Sequence, residues 1–318
     1  WSISIAGLSA AISLALVLTP QTLYESLFMN VYLPDQVLHI FETVEGTVTI
    51  AEYNGIKYIF SNGVHDADTS PLDISTHRLI GYFSGFVRAN PRQALVVGLG
   101  SGVTSGALTQ SVPGQTEIVE LSDGMVSAAQ LFSDYNNQVL TNPRIKLVIA
   151  DGRNYLLFTD RHYDVITADT IYPLQAYSSN LYSAEYYQLL ASHLSETGVM
   201  VQWIDSGLRE NEQRILMRTF VQAFPHVLLW QHGGVKLLLG ANEPIVPTLA
   251  GITSHFTPDV AEQLLPQNIR SPEDILKGFG LKDEALRADL GSGLTISDDH
   301  PYNEYFLLLR LGKFDDQR

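Results

Sequence analysis

Gln93-Ala94-Leu95-Val96-Val97-Gly98-Leu99-Gly100-Ser101-Gly102 is the stretch that decides the fold. Four apolar residues run without a polar break and end in a glycine turn, the pattern of a strand buried on both faces that feeds a helix. The rhythm continues downstream. Further strands are predicted at 116–121, 145–151, 163–169, 198–204, 226–231 and 235–240, with helices at 102–110, 123–133, 183–195 and 209–223. Apolar strands alternating with helices mean a parallel sheet covered on both sides. The last two strands meet near Gly233-Gly234 and read as an antiparallel hairpin.

Upstream, residues 39–64 alternate in polarity around Asn54-Gly55, a strong hairpin signal. The fold class is therefore α/β: a Rossmann-like, methyltransferase-type seven-stranded sheet preceded by a small antiparallel β domain, with an apolar helix at the N-terminus. The expected divisions are 1–20 (apolar helix), 21–90 (linker and β domain), 91–242 (nucleoside-binding domain) and 243–318 (a proline-rich helical tail). Residues 3–18 carry no charge, and Ala6, Gly7, Ala10, Ala11 and Ala15 suit close helix packing in lipid. The run is shorter than the roughly 20 residues of a full span. It reads as the end of a membrane helix, a re-entrant segment or a buried helix. The first reading is preferred, so membrane attachment through this segment or through helices upstream of it is expected.

The 318 residues contain no cysteine, which excludes disulfide scaffolds, thiolate metal sites and thiol nucleophiles. Lys and Arg number 19 against 34 Asp and Glu, a formal charge of −15 that repels phosphate backbones, so no nucleic-acid partner is expected. A cationic or zwitterionic small molecule is easier to host.

Ligands of open parallel sheets sit at the carboxyl ends of the strands. There the chain places Gly98, Gly100, Ser101 and Gly102, then Glu120, then Asp151-Gly152, then Asp169. The glycines permit close backbone approach at a helix N-terminus. An acidic residue about 20 positions on can hold a ribose diol, and Asp151 can accept from an adenine amino group. The loop has no basic residue to meet a diphosphate, and the third glycine of the dinucleotide pattern is missing. S-adenosylmethionine or a relative fits better. His65, Asp66 and Asp68 read as solvent-facing turn residues rather than a metal cluster, so no metal is expected. Asp298-Asp299-His300-Pro301 reads as a helix cap.

The chain resembles the spermidine synthase family of polyamine aminopropyltransferases, notably the bacterial branch fused to membrane helices. The resemblance runs over about residues 40–240 and rests on VVGLGSG (96–102), EIVEL (117–121), ADGRNYL (150–156), YDVITADTIYP (163–173) and NLYSAEYYQL (180–189). STHRLI (75–80) stands at the family's Tyr-His-Glu-Met segment. The resemblance implies an amine attacking the propyl carbon beside the sulfonium of decarboxylated S-adenosylmethionine, with release of 5′-methylthioadenosine. Glu120 would hold the ribose, Asp151 and Gly152 the adenine, and His77 would lie near the nucleoside. Asp169 matches the first aspartate of Asp-x-x-Asp-Pro, which orients the amine and accepts its proton. Tyr172, Tyr177 and Tyr182 are assigned to the acceptor pocket. No permanently bound cofactor is implied. Polyamine and nucleoside substrates, a homodimer and an inner-membrane location with the catalytic domain in the cytoplasm are expected.

Two departures stand out. Ser101 replaces the family aspartate that binds the aminopropyl ammonium, and Tyr172 replaces the second aspartate of Asp-x-x-Asp-Pro, although Pro173 is kept. Thr76 replaces the family tyrosine. Intact S-adenosylmethionine is thus an alternative substrate, its own carboxylate closing a lactone as a lyase-type reaction. A methyltransferase and a non-catalytic nucleoside sensor are the remaining alternatives.

Overall fold

The computed structural model describes residues 28–310 apart from positions 30, 89, 169–171 and 176. Two sheets organise the chain. Strands β1 (Gln36–Thr43), β2 (Gly46–Tyr53), β3 (Ile56–Ser61) and β4 (Val64–Asp68) form an antiparallel meander in that order. Asn54 and Gly55 take φ of 50° and 76°, and Asn62 and Gly63 take 51° and 78°, the left-handed pair that a two-residue hairpin needs.

The second sheet has eight strands in the order β7-β6-β5-β8-β9-β11-β10-β12. These are β5 (Gln93–Val97), β6 (Gln115–Glu120), β7 (Ile145–Ile149), β8 (Tyr163–Ala168), β9 (Leu194–Ile204), β10 (His226–His232), β11 (Val235–Ala241) and β12 (Phe279–Lys282). Strands β5 to β9 pair in parallel, and β10, β11 and β12 pair antiparallel. The expected seven strands are thus corrected to eight. The extra strand lies in the tail read as helical, and it covers the free edge of β10 by pairing Leu228 with Lys282 and Trp230 with Phe279. Four residues are too few to show a period of two.

Helix α1 (Pro71–Val87) and helix α2 (Val103–Ser111) pack on one face of the sheet with the tail residues Ile252, Val260, Leu264 and Ile275. Helices α4 (Gly152–Phe158), α5 (Ala184–Ser192) and α6 (Glu210–Ala223) cover the other face. Helix α3 (Asp123–Gln130) joins the two sheets by packing Met125 and Ala128 on Val48 and Ile50.

The apolar helix expected over residues 3–18 lies outside the described residues. The inner-membrane location inferred from that run is overturned. Among the described residues no helix is long and apolar enough to cross a membrane. The longest described helix, α1, has 17 residues and turns its apolar side to the sheet.

Candidate functional site

The strand order reverses on either side of β5, so the carboxyl ends of β5, β6, β7 and β8 open a crevice at one sheet edge. The glycine turn sits at its centre. Gly98, Gly100 and Gly102 take φ of 87°, 54° and 79°. At Gly102, which caps α2, a Cβ would come within 2.8 Å of Val139 and 3.0 Å of Asn136. Ser101 is fully buried, its carbonyl accepts from Asn136 Nδ2 at 3.0 Å, and its Oγ has no partner among the described residues.

Glu120 ends β6 and is 7% exposed. One of its oxygens accepts from Leu99 N at 2.7 Å and the other from Ser122 N at 2.8 Å, tying the glycine turn to the next strand. Burial pushes its carboxyl above the ordinary value, against the pull of those two N–H groups. Asp151 caps α4 by accepting from Asn154 N at 2.7 Å. A Cβ on Gly152 would overlap Val97 Cγ1, so only glycine lets α4 start this close to β5. His77 reaches across from α1. Its Nδ1 lies 3.2 Å from Thr104 Oγ1 on α2, and its Nε2 lies 3.6 Å from Asp73.

Beside these groups opens a cavity of about 560 Å³. Its lining includes four acidic residues, Asp66, Asp68, Asp73 and Asp205, and two histidines, His65 and His77, with no Lys or Arg among the described residues. Tyr172, Tyr182 and Trp203 supply aromatic walls. Asp66, in the cavity lining, also helps to raise the Glu120 carboxyl. Burial pushes the Asp73 and Asp205 carboxyls up, although Asp205 accepts from Gly207 N at 2.7 Å. Burial also opposes ionisation of Asp68, but His65 Nε2 at 3.3 Å and Ser70 N at 2.7 Å outweigh it and hold this carboxyl low. His65 is raised by its hydrogen bond to Asp68. Four carboxyl groups against two imidazoles suit the cavity to a cation.

Tyr172 lines this cavity and is raised by burial and then by the Asp205 charge. The charge of Arg310 pulls the other way; that arginine grips the buried Glu212 through Nε at 2.6 Å and a second nitrogen at 2.8 Å. Tyr182 is 4% exposed and also lines the cavity. Tyr177 does not join them. It is 79% exposed at a left-handed position before the short turn Ser178–Leu181, so its place in the acceptor pocket is corrected. Asp169 follows Ala168, the last residue of β8, and lies outside the described residues.

Other expectations change. His65, Asp66 and Asp68 lie on β4 instead of in a turn and line the cavity, with His65 still exposed, and among the described residues no group of three or more side chains is arranged to hold a metal. Asp298 caps no helix. It binds Arg153 through both oxygens, at 2.7 and 2.6 Å, and accepts from Ser183 Oγ at 2.7 Å. The sequence reading missed Asp205, although the strand-end rule applied to β9 finds it. It also missed Asp73, four residues before His77 on α1.

Comparison with known proteins places this geometry. Residues 74–227 match the spermine/spermidine synthase domain. The polyamine aminopropyltransferase of Methanocaldococcus jannaschii is 31% identical over 133 residues, 42% of this chain and 45% of that protein. That of Thermococcus kodakarensis is 32% identical over 181 residues, 52% of this chain and 56% of that protein. The chain thus spans about half the length of the curated relatives it matches. Among solved structures, a spermidine synthase in complex with the transition-state analogue AdoDATO superposes with a TM-score of 0.64 at 19% identity, covering 77% of this chain and 85% of that one. The spermidine synthase of Thermotoga maritima gives 0.62 at 19% identity, covering 77% and 84%. The shared fold is the methyltransferase-type sheet with its small antiparallel sheet.

Proposed function

Residues 74–227 are a spermine/spermidine synthase domain, and from that premise we propose that the protein transfers an aminopropyl group from decarboxylated S-adenosylmethionine to an amine. The observation that carries the reading is the acidic cavity that His77 also lines: Asp66, Asp68, Asp73 and Asp205 offer a polyamine its counter-charges. Glu120 holds the ribose hydroxyls. Gly98, Gly100 and Gly102 admit the nucleoside close to the backbone. Asp151 and Gly152 border the adenine, and His77 braces the donor side.

An amine has a pKa of about 10 and arrives protonated. Carboxylates of the cavity bind the cation, and a neutral nitrogen forms as one of them takes the proton. The nitrogen attacks the propyl carbon beside the sulfonium. The carbon–sulfur bond breaks, its electron pair returns to sulfur, and neutral 5′-methylthioadenosine leaves. The new secondary ammonium sheds a proton. Asp169, directly after β8, is assigned this proton transfer on its place in the sequence, with Asp205 as the second carboxylate on the amine.

A second reading is favoured by one observation. Tyr172, where the resemblance calls for an aspartate, has the cationic Arg310 near enough for its charge to draw the phenol pKa back down. An arginine behind the cavity wall tolerates the α-carboxylate of intact S-adenosylmethionine, whose oxygen can attack its own γ-carbon to give a lactone and the same nucleoside. Incubation with each donor, with and without 1,4-diaminobutane, separates the two. Methylthioadenosine formed only from the decarboxylated donor plus diamine supports transfer. Methylthioadenosine from the intact donor alone supports cyclisation, and S-adenosylhomocysteine sinks both.

A further inference from the structure

The described residues of 172–183 (all but 176) form a loop whose two ends, at Tyr172-Pro173 and Tyr182, wall the cavity. Its middle is gripped from behind by the last described turns of the chain. Asn303 is fully buried, and its Nδ2 donates to Pro173 O and to Ser178 Oγ, both at 2.8 Å. Ser178 Oγ in turn donates to Pro173 O at 2.6 Å. Next along the chain, Glu304 accepts from Ser179 N at 3.2 Å and from Ser179 Oγ at 2.6 Å. Asp298 accepts from Ser183 Oγ at the loop's far end. Arg310 brings its charge near Tyr172 while anchored on Glu212. Asp298, Asn303 and Glu304 thus hold four points of one loop by hydrogen bonds, Pro173, Ser178, Ser179 and Ser183, and neither they nor Arg310 line the cavity.

We propose that the segment 298–310 is a clasp that shapes the amine side of the cavity, with Asn303 as its principal positioning residue. The inference rests on the proposed function for the identity of the amine, and on geometry for the clasp itself. A loop of this length without regular strands or long helices has little internal support, so polar side chains supplied from outside set its conformation. Asn303 acts on a backbone carbonyl next to Tyr172. Its loss leaves Pro173 O and Ser178 Oγ with one donor fewer in a dry site.

The test uses the full chain carrying Asn303→Ala and, separately, Glu304→Ala, which removes a half-buried side chain and keeps the core intact. Three quantities are measured: backbone hydrogen exchange of residues 172–183 in the ligand-free protein, KM for 1,4-diaminobutane, and Kd for methylthioadenosine. Exchange in the loop should quicken about tenfold or more, and KM should rise by a similar factor, while Kd stays within about twofold (tenfold corresponds to ~1.4 kcal/mol). Unchanged exchange in both variants overturns the clasp. So does faster exchange spread equally over β5 to β9, or an unchanged KM beside a loosened loop. The exchange measurement needs no turnover. If the wild-type protein releases no methylthioadenosine, the proposed function falls while the loop data still decide the clasp.

Discussion

Asp205→Asn pulls binding and stability in opposite directions at one side chain. Asp205 follows β9 directly and lines the cavity. One carboxylate oxygen accepts from Gly207 N at 2.7 Å, and the other takes no hydrogen bond from any described residue. Asparagine keeps the size of the side chain and a carbonyl oxygen for Gly207, so the turn survives and only the charge goes. Burial holds the wild-type carboxyl above its ordinary 3.8. For an acid whose folded pKa is raised, the cost to stability is absent below the unfolded value and complete above the folded one. At pH 7 the variant is therefore as stable as wild type or more so. An amine cation loses a charge-assisted hydrogen bond of about 1.5–3 kcal/mol, which is roughly 10- to 150-fold in affinity. That lies within the ceiling of about 4 kcal/mol for two charges ~4 Å apart near a protein surface. The assay is KM for 1,4-diaminobutane with the decarboxylated donor, read beside Kd for methylthioadenosine and the thermal midpoint. KM should rise by that factor with Kd nearly unchanged. A KM within about twofold of wild type refutes the assignment of Asp205 to the amine, and a lower thermal midpoint refutes the burial reasoning.

Three further outcomes are expected. Gly152→Ala should destabilise by about 1–3 kcal/mol through overpacking, because Val97 is branched and stiff and stands where the new Cβ would go. Val97→Ala in the same chain should recover most of the loss, and additive effects in thermal unfolding would rule out the contact. Glu120→Ala should weaken methylthioadenosine binding by roughly tenfold or more, since a charge-assisted hydrogen bond is worth ~1.5–3 kcal/mol; equal heats and affinity in calorimetry would remove Glu120 from the ribose site. His65 has a folded pKa above its ordinary 6.5 because of Asp68. Its stabilisation is complete below 6.5 and fades as pH rises through the folded value. The thermal gap between wild type and His65→Gln should therefore shrink from acid to alkaline pH, and a gap constant across that range would discount the ion pair.

Much of the molecule was legible in its local patterns. Apolar runs ending in glycine or a carboxylate, separated by helices, identify β5 to β9, because strands of a parallel sheet covered by helices on both faces take apolar residues along their length. Asn54-Gly55 announces its hairpin since few other pairs accept two positive φ angles, and Asn62-Gly63 carries the same signal for β4. Gly98 to Gly102, Glu120 and Asp151 could be placed because strand order alone brings their ends to one edge. Tertiary structure decided the rest. Strand β12 exists only because β10 offers an open edge. Asp68 and Asp73, neighbours on β4 and α1, meet Asp205 from the far end of β9, an element distant in the chain, and no spacing rule foretells the cavity they make. Tyr177 and Tyr182 look alike in sequence, yet one is exposed and the other buried, since Tyr177 sits at a left-handed position ahead of the short 3-10 turn Ser178–Leu181 that separates them. Asp298, Asn303 and Glu304 found their partners across more than 100 positions. Polar contacts of that kind depend on where the folded chain returns, and a linear pattern holds no record of it.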